Sequence, residues 1–170
     1  MMIAKLDEVF GRDARSRLAE ARQPGPEGAL AALETFYYAF NHRDLDALAA
    51  VWLDDDLVQL SNPLGGVLSG APAVRDLYER IFTGPARVWV EFGDIVVFTA
   101  ADAVIFAGRE RGEFTAGSAT VPLAIRTSRV FIYQPGTGWR LVHHHGSIDD
   151  PGLLRDYQDA VAAAAPAGRG

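Results

Sequence analysis

The sequence predicts an α+β fold, with helices laid on one face of a curved antiparallel sheet. Helix-like periodicity dominates residues 27–82, whereas strand-like alternation dominates residues 86–147. The breaks between successive strand-like segments are short, which favours antiparallel pairing between neighbours along the chain. An order with helices first and strands second is typical of this fold class.

The N-terminal third is expected to be helical. Residues 1–22 have an amphipathic pattern, and the segment QPGPEG at 23–28 ends it. A second helix is predicted at about 27–41, and a third at 45–53 with Asp44 as its cap. The apolar residues that support the first two helices are Ile3, Leu6, Val9, Phe10 and Leu18, then Leu30, Leu33, Phe36, Tyr37 and Phe40.

The middle of the chain continues with a short strand at 57–61 and a turn, NPLGG, at 62–66. A helix is expected at about 72–82, with Pro72 in its first turn. A last helix is predicted at 152–164, where the terminal sequence AAPAGRG is expected to fray.

Four strands are predicted at 86–98, 102–114, 120–134 and 138–147. Both faces of the third carry bulky side chains, which is unusual for a sheet with water on one side. The face away from the helices is therefore expected to be covered. A second subunit would do this most simply, giving a homodimer, and a terminal helix is the alternative.

The composition restricts the classes of function. The 170 residues are 49% hydrophobic, enough for one domain with a sizeable core. The net charge is −6 and Lys and Arg do not cluster, so no binding to nucleic acid is expected. No cysteine is present, which excludes disulfides and thiolate metal sites. The N-terminus does not resemble a signal peptide and no apolar run is long enough to cross a membrane, so the protein is expected to be cytoplasmic.

Three consecutive histidines stand in the last predicted strand, GWRLVHHHGS at 138–147. Strand alternation sends His143, His145 and Ser147 to one face and His144 to the other. Neighbouring histidines on a strand cannot converge on one ion, so no metal site is expected. His144 would face the same side as Arg129, if the two strands pair in the corresponding register.

The order of elements resembles the nuclear transport factor 2-like superfamily, and within it the SnoaL-like group and the calcium/calmodulin-dependent kinase II association domain. The segments that carry the resemblance are FYYAFNHRDLDALAAVWLDDD, NPLGGVLSGAPAVRDLYE, SRVFIY and GWRLVHHHGS. It implies a cone-shaped sheet wrapped around the helices, with a pocket between them. It also suggests a domain at 27–148, flanked by a helical extension at 1–26 and a C-terminal helix and tail at 149–170.

The resemblance also tests one known chemistry of the superfamily, steroid isomerisation. The positions that resemble the isomerase's base, tyrosine and second acid are occupied here by Asn62, Phe36 and Arg129. An amide cannot take a proton from carbon, and a phenyl ring cannot donate a hydrogen bond. Steroid-isomerase chemistry is therefore not expected.

The association domain offers a second comparison, because its pocket carries arginines on adjacent strands. Arg129 falls on one such position and Arg109 on another, whereas Gly146 stands at the third. The resemblance implies an anion anchor for a ligand bearing a carboxylate or an enol. The predicted site residues are Arg109, Arg129, Asn62, Phe36, Phe40, Trp52 and His144. The alternatives are that Arg129 pairs with a buried carboxylate, His144 is structural and Asn62 serves only its turn.

Three functions remain open from the sequence. The first is a small-molecule-binding protein with an apolar pocket. The second is a cofactor-independent cyclase, isomerase or dehydratase, in which His144 moves a proton and Arg129 stabilises the oxyanion. The third is an oligomerisation module. No cofactor is expected, because no nucleotide or metal motif occurs.

Overall fold

The structure is a computed structural model that describes residues 1–164. Four helices follow one another as α1 (Pro26–His42), α2 (Leu45–Val51), α3 (Ala71–Thr83) and α4 (Pro151–Ala164). The Asp44 side chain accepts a hydrogen bond from the Ala47 amide at 2.9 Å and caps α2, as predicted. The frayed tail expected after α4 lies outside the described residues.

The seven strands are β1 (Met2–Lys5), β2 (Gln59–Ser61), β3 (Val67–Ser69), β4 (Arg87–Thr99), β5 (Ala103–Ala116), β6 (Ala119–Gln134) and β7 (Gly138–Ser147). They form one sheet in the order β1-β4-β5-β6-β7-β2-β3. The long strands β4 to β7 form the predicted antiparallel meander, and β2 joins β7 in parallel. The predicted fold class, α+β with helices on a curved sheet, is confirmed.

The helix predicted at 1–22 is wrong. The segment begins with β1, which pairs with β4 so that Met2 lies opposite Thr99. Phe10 then forms an isolated bridge with Phe92. An edge strand offers unpaired backbone groups, and pairing with them outweighs the weak helical preference of the segment. Only a short 3-10 turn at Glu20–Arg22 is helical here. Strand β3 was also not predicted.

Two glycines on the inner face of β5 allow the sheet to bend towards the helices. A Cβ atom at Gly112 would lie 2.0 Å from the carbonyl oxygen of Trp89, and one at Gly108 would lie 2.6 Å from that of Gly93. A side chain at either position would clash with the backbone of β4. The close approach of β4 to β5 produces a concave surface, against which α1 packs.

The outer face carries an apolar row across four strands, with His143 next in register on β7. Ile105 is 38% exposed and Ile3 is 58% exposed. Within residues 1–164, neither terminal segment covers this row. The homodimer stays a prediction, which the mass of the protein in solution will decide. The row consists of Ile3, Phe98, Ile105 and Val130.

None of the helices in residues 1–164 is long and apolar enough to cross a membrane.

Candidate functional site

A cavity of about 470 Å³ lies between the helices and the concave face of the sheet. Its wall is mainly apolar, with a few polar side chains. A concave, apolar space with a few polar groups is the usual form of a small-molecule site. The apolar wall includes Phe36, Phe40, Leu60, Leu77, Ile81, Val88, Val90, Phe114, Leu123, Ile125 and Val161, and the polar residues are Asn62, Tyr78, Arg80, Glu110, Arg129, His144 and Tyr157.

A β-bulge in β7 decides which histidine faces this cavity. Leu141 pairs with Phe131, but His143 pairs with Val130, so Val142 is the extra residue. A bulge shifts the alternation by one position. Trp139, Leu141 and His144 consequently all point inward, and His144 lies directly opposite Arg129. The register expected between these two residues is the one observed.

Arg129 is the centre of a buried hydrogen-bond network. Its Nη2 donates to Glu110 Oε1 at 2.7 Å, and its Nη1 donates to the hydroxyl of Tyr37. The Tyr37 hydroxyl donates to Glu110 Oε1 at 2.8 Å, and Thr127 Oγ1 donates to Glu110 Oε2 at 2.8 Å. Arg129 and Glu110 are only 1% and 4% exposed. The ion pair is therefore almost fully removed from water, and each terminal nitrogen of the guanidinium donates one hydrogen bond.

Aromatic rings enclose the same guanidinium. Its Cζ lies 4.1 Å from the centre of the Phe36 ring and 4.7 Å from that of Tyr37. Cation–π contacts of this kind stabilise a charge that has lost its water. Burial alone would lower the pKa of Arg129, but the contacts with Tyr37 and Glu110 raise it above the ordinary value. Burial also raises the pKa of Tyr37 well above its usual range. The arginine stays charged and the phenol stays neutral.

His144 has a different environment. It is 7% exposed, and neither Nδ1 nor Nε2 has a hydrogen-bond partner within residues 1–164. Burial, with the charge of Arg129 second, lowers the pKa of His144 well below 6.5. The ring packs edge-on against Phe36, with 5.9 Å between centroids. Most buried polar groups in proteins have a hydrogen-bond partner, and a chemical role is one explanation for a group without one. His144 is a neutral imidazole whose hydrogen-bonding capacity is unused by these residues.

The remaining polar residues of the wall are two tyrosines, the amide of Asn62 and the exposed side chain of Arg80. Burial raises the pKa of Tyr78 above the usual range and that of Tyr157 to about 12. Asn62 Oδ1 accepts a hydrogen bond from the Leu64 amide at 2.9 Å. Asn62 thus stabilises its turn and also lines the cavity, which combines the two roles considered from the sequence.

Two predicted site residues lie elsewhere. In the strand register, Arg109 lies opposite Arg126, which is three residues before Arg129 on β6. The Arg109 side chain is on the outer face of the sheet, where its guanidinium lies 3.6 Å from the carboxylate of Asp149. The structure therefore does not bring Arg109 to the cavity. Trp52 is buried, but it borders a separate cleft between α2 and α3.

Gly146, which stands at the third arginine position of the comparison, leaves little free space in the cavity. It is buried and faces inward, and a Cβ atom there would lie 3.1 Å from Pro63 and 3.3 Å from Ile125. Its neighbours already fill the volume that a larger side chain would take.

Sequence reasoning missed the partners of Arg129. Tyr37 is predicted only as an apolar residue of the second helix, and the sequence pattern gives no role to Glu110 or Thr127. The tight turn between β5 and β6 is the sequence feature that could have identified Glu110 as the partner of Arg129. Pairing Ala116 with Ala119 places Glu110 opposite Ile125, on the face of Arg129.

Residues 1–164 contain no group of three or more His, Cys, Asp or Glu side chains arranged to hold a metal ion. The chemistry that these residues offer is a buried ion pair, a neutral imidazole and several hydroxyl groups beside an apolar space.

Comparisons with known proteins relate this chain to one family. A family model described as a SnoaL-like domain matches residues 29–151. The matched range contains the residues of the Arg129 network and His144. No curated protein matches the chain.

Solved structures share the fold. A protein assigned as a calcium/calmodulin-dependent protein kinase type II association domain, from Thiobacillus denitrificans, is 35% identical with a TM-score of 0.57, over 75% of this chain and 97% of that chain. A protein assigned as an NTF2-like dehydratase, from Streptomyces avermitilis, is 22% identical with a TM-score of 0.61, over 72% and 97%. A LEH-like epoxide hydrolase from M. tuberculosis is 20% identical with a TM-score of 0.56, over 86% and 95%.

Proposed function

Because the chain belongs to the SnoaL-like domain family of the NTF2-like superfamily, we propose that it binds a small, uncharged, mainly apolar molecule in its cavity. The observation that carries the proposal is the charge balance of the wall. Within residues 1–164, the buried ionised groups of the wall are Arg129 and Glu110, which neutralise each other, whereas the side chain of Arg80 is exposed. His144 and the two tyrosines are neutral, so nothing there requires a charged ligand.

The same contacts favour an enol, ketone or alcohol over a carboxylate. A carboxylate is bound best by two parallel N–H groups of one guanidinium. In Arg129 both terminal nitrogens already donate to Glu110 and Tyr37. An incoming anion would lie close to the carboxylate of Glu110 and would be repelled by its charge. Within residues 1–164, the imidazole of His144 has no hydrogen-bond partner, and it suits a single neutral oxygen.

The cavity also supports binding over a purely oligomerising role. An oligomerisation module has no need of an unfilled interior, because well-packed cores are more stable. The related structures include both an association domain, which is an oligomerising type of protein, and two proteins named as enzymes, a dehydratase and an epoxide hydrolase.

We expect phenylacetone to bind at least tenfold more tightly than phenylacetate, which has nearly the same shape but a negative charge. The variant His144→Phe should weaken phenylacetone binding about two- to twelvefold, because one net hydrogen bond is worth about 0.5–1.5 kcal/mol. Titration by NMR, with thermal shifts as a second readout, measures both effects. His145→Phe is the matched control, since that histidine is exposed on the outer face. Tighter binding of phenylacetate, or full affinity in His144→Phe, would contradict the proposal.

A second candidate function is proton transfer at a carbon next to a carbonyl group. The observation that favours it is that His144 is neutral, buried and unpartnered within residues 1–164. The imidazole would take the proton as the C–H bond breaks, and the electron pair would move to the carbonyl oxygen. Arg129 Nε, which also lacks a partner in this part of the chain, is the donor available to that oxygen. The proton then returns to carbon and regenerates the neutral imidazole.

Exchange of the α-hydrogens of phenylacetone for deuterium tests this second function. We expect wild type to accelerate exchange, and His144→Gln to remove about a hundredfold or more of that acceleration. The lowered pKa of His144 keeps the base neutral as the pH falls, so exchange should continue below pH 6.5, where a free imidazole becomes protonated. His145→Gln should behave as wild type. Unchanged exchange in His144→Gln, with binding intact, would leave a binding protein only.

A further inference from the structure

We propose that α4 is a wall of the binding site, and that Tyr157 sets the length of the ligand which the cavity accepts. The inference rests on the proposed function and adds a determinant of specificity. Helix α4 lies almost wholly beyond residues 29–151, so the family match does not assign it a role. The residues that place this helix at the cavity are Tyr157, Val161 and Ala164.

The cavity has a polar end and an apolar end, as the order of residues along β5 shows. Glu110, the partner of Arg129, lies at the polar end. Phe114 follows four residues later on the same face, which corresponds to about 13 Å along a strand. The rings of Tyr157 and Phe114 are in contact, with 5.3 Å between centroids. Tyr157 therefore packs against Phe114, and its ring bounds the cavity at that end of β5. The charge of Glu110 contributes, after burial, to the raised pKa of its hydroxyl.

Helix α4 is held in this position by contacts at its N-terminal end and by a contact from the side chain of Gln158. Asp150 caps the helix through a 2.8 Å hydrogen bond from the Leu153 amide, and Gln158 Nε2 donates to the Leu64 carbonyl at 3.1 Å. Asp149 forms ion pairs with Arg126 and Arg109 on the outer face, which fixes the chain just before the helix. No residue of α4 is fully buried. The helix is thus anchored at its start, while its inward side chains define the space available to a ligand.

Charge does not oppose an apolar ligand tail here. Burial keeps the Tyr157 hydroxyl protonated, with a pKa of about 12. Val161 and Ala164 continue the apolar surface along the helix. A tail that reaches Tyr157 would contact the rings of Tyr157 and Phe114, and a longer tail would collide with the Tyr157 ring.

The affinities of acetophenone, butyrophenone, hexanophenone and octanophenone test this inference, because their tails lengthen with the polar group unchanged. For wild type we expect affinity to rise along the series and then to fall. Tyr157→Ala should move the optimum to a longer ketone and improve octanophenone binding at least fivefold. Val161→Phe should move the optimum the other way. Tyr157→Phe and Asp159→Ala, the latter on the exposed side of α4, should leave the optimum unchanged.

The outcomes separate the two proposals. If wild type binds the ketones but Tyr157→Ala and Val161→Phe keep its length optimum, α4 is not a determinant of specificity and only this inference fails. If wild type binds none of the four ketones, the proposed function fails and the inference with it. A shift of the optimum in opposite directions in the two variants supports both. Thermal unfolding of each variant confirms that the compared proteins are folded.

Discussion

Glu110→Ala should lower the free energy of unfolding by about 3–5 kcal/mol, since removing one partner of a buried ion pair leaves the other charge uncompensated. The substitution takes from Arg129 its carboxylate at 2.7 Å, and it leaves the hydroxyls of Tyr37 and Thr127 without their acceptor. Urea denaturation measures the change. Ligand binding should also weaken, because an unpaired guanidinium would then face the cavity.

A matched control lies three residues away on the same strand. Glu113 is exposed and accepts a hydrogen bond from Trp89, so Glu113→Ala should change stability by less than about 1 kcal/mol. The double variant Glu110→Leu with Arg129→Leu should recover much of the loss, because apolar residues of similar volume often replace a buried ion pair. Equal losses for Glu110→Ala and Glu113→Ala would mean that the buried pair contributes little to stability.

The superfamily, the fold class and the inward face of β6 could be predicted from the sequence. Alternation of bulky residues along 120–134 placed Arg129 with Ile125 and Phe131, and all three are buried on one face. The carboxylate that pairs with Arg129 could also have been found. A two-residue connection after Ala116 fixes the pairing of β5 with β6, and that pairing brings Glu110 to the same face.

Other features depend on tertiary contacts that local patterns do not contain. The bulge at Val142 changes the alternation of β7, and nothing in the preceding sequence marks it. Simple alternation from Trp139 and Leu141 would have pointed His143 inward instead of His144. Strand β1 forms because the edge of β4 is available, and this availability is a property of the folded sheet. Burial of Tyr157 likewise depends on where α4 packs.

The bend of the sheet is what creates the cavity, and Gly112 tests this relation directly. We expect Gly112→Val to lower the free energy of unfolding by at least about 3 kcal/mol. Its Cβ would lie 2.0 Å from the Trp89 carbonyl oxygen and 2.9 Å from Val90 Cα, so β4 must move away. The atoms in the way belong to the backbone, which cannot move aside as the end of a flexible side chain can. The two strands would therefore separate, or the sheet would flatten. Thermal or urea denaturation measures the loss.

The comparison residue is Arg111, whose side chain lies on the outer face beside Gly112. Arg111→Val removes an exposed ion pair with Asp94 at 2.8 Å, and it should change stability by less than about 1 kcal/mol. Gly112→Val should also reduce phenylacetone binding, because the movement of β4 displaces Val90 from the cavity wall. If Gly112→Val is as stable as Arg111→Val, the close approach of the two strands is not required. The curvature would then arise from the packing of α1 against the sheet.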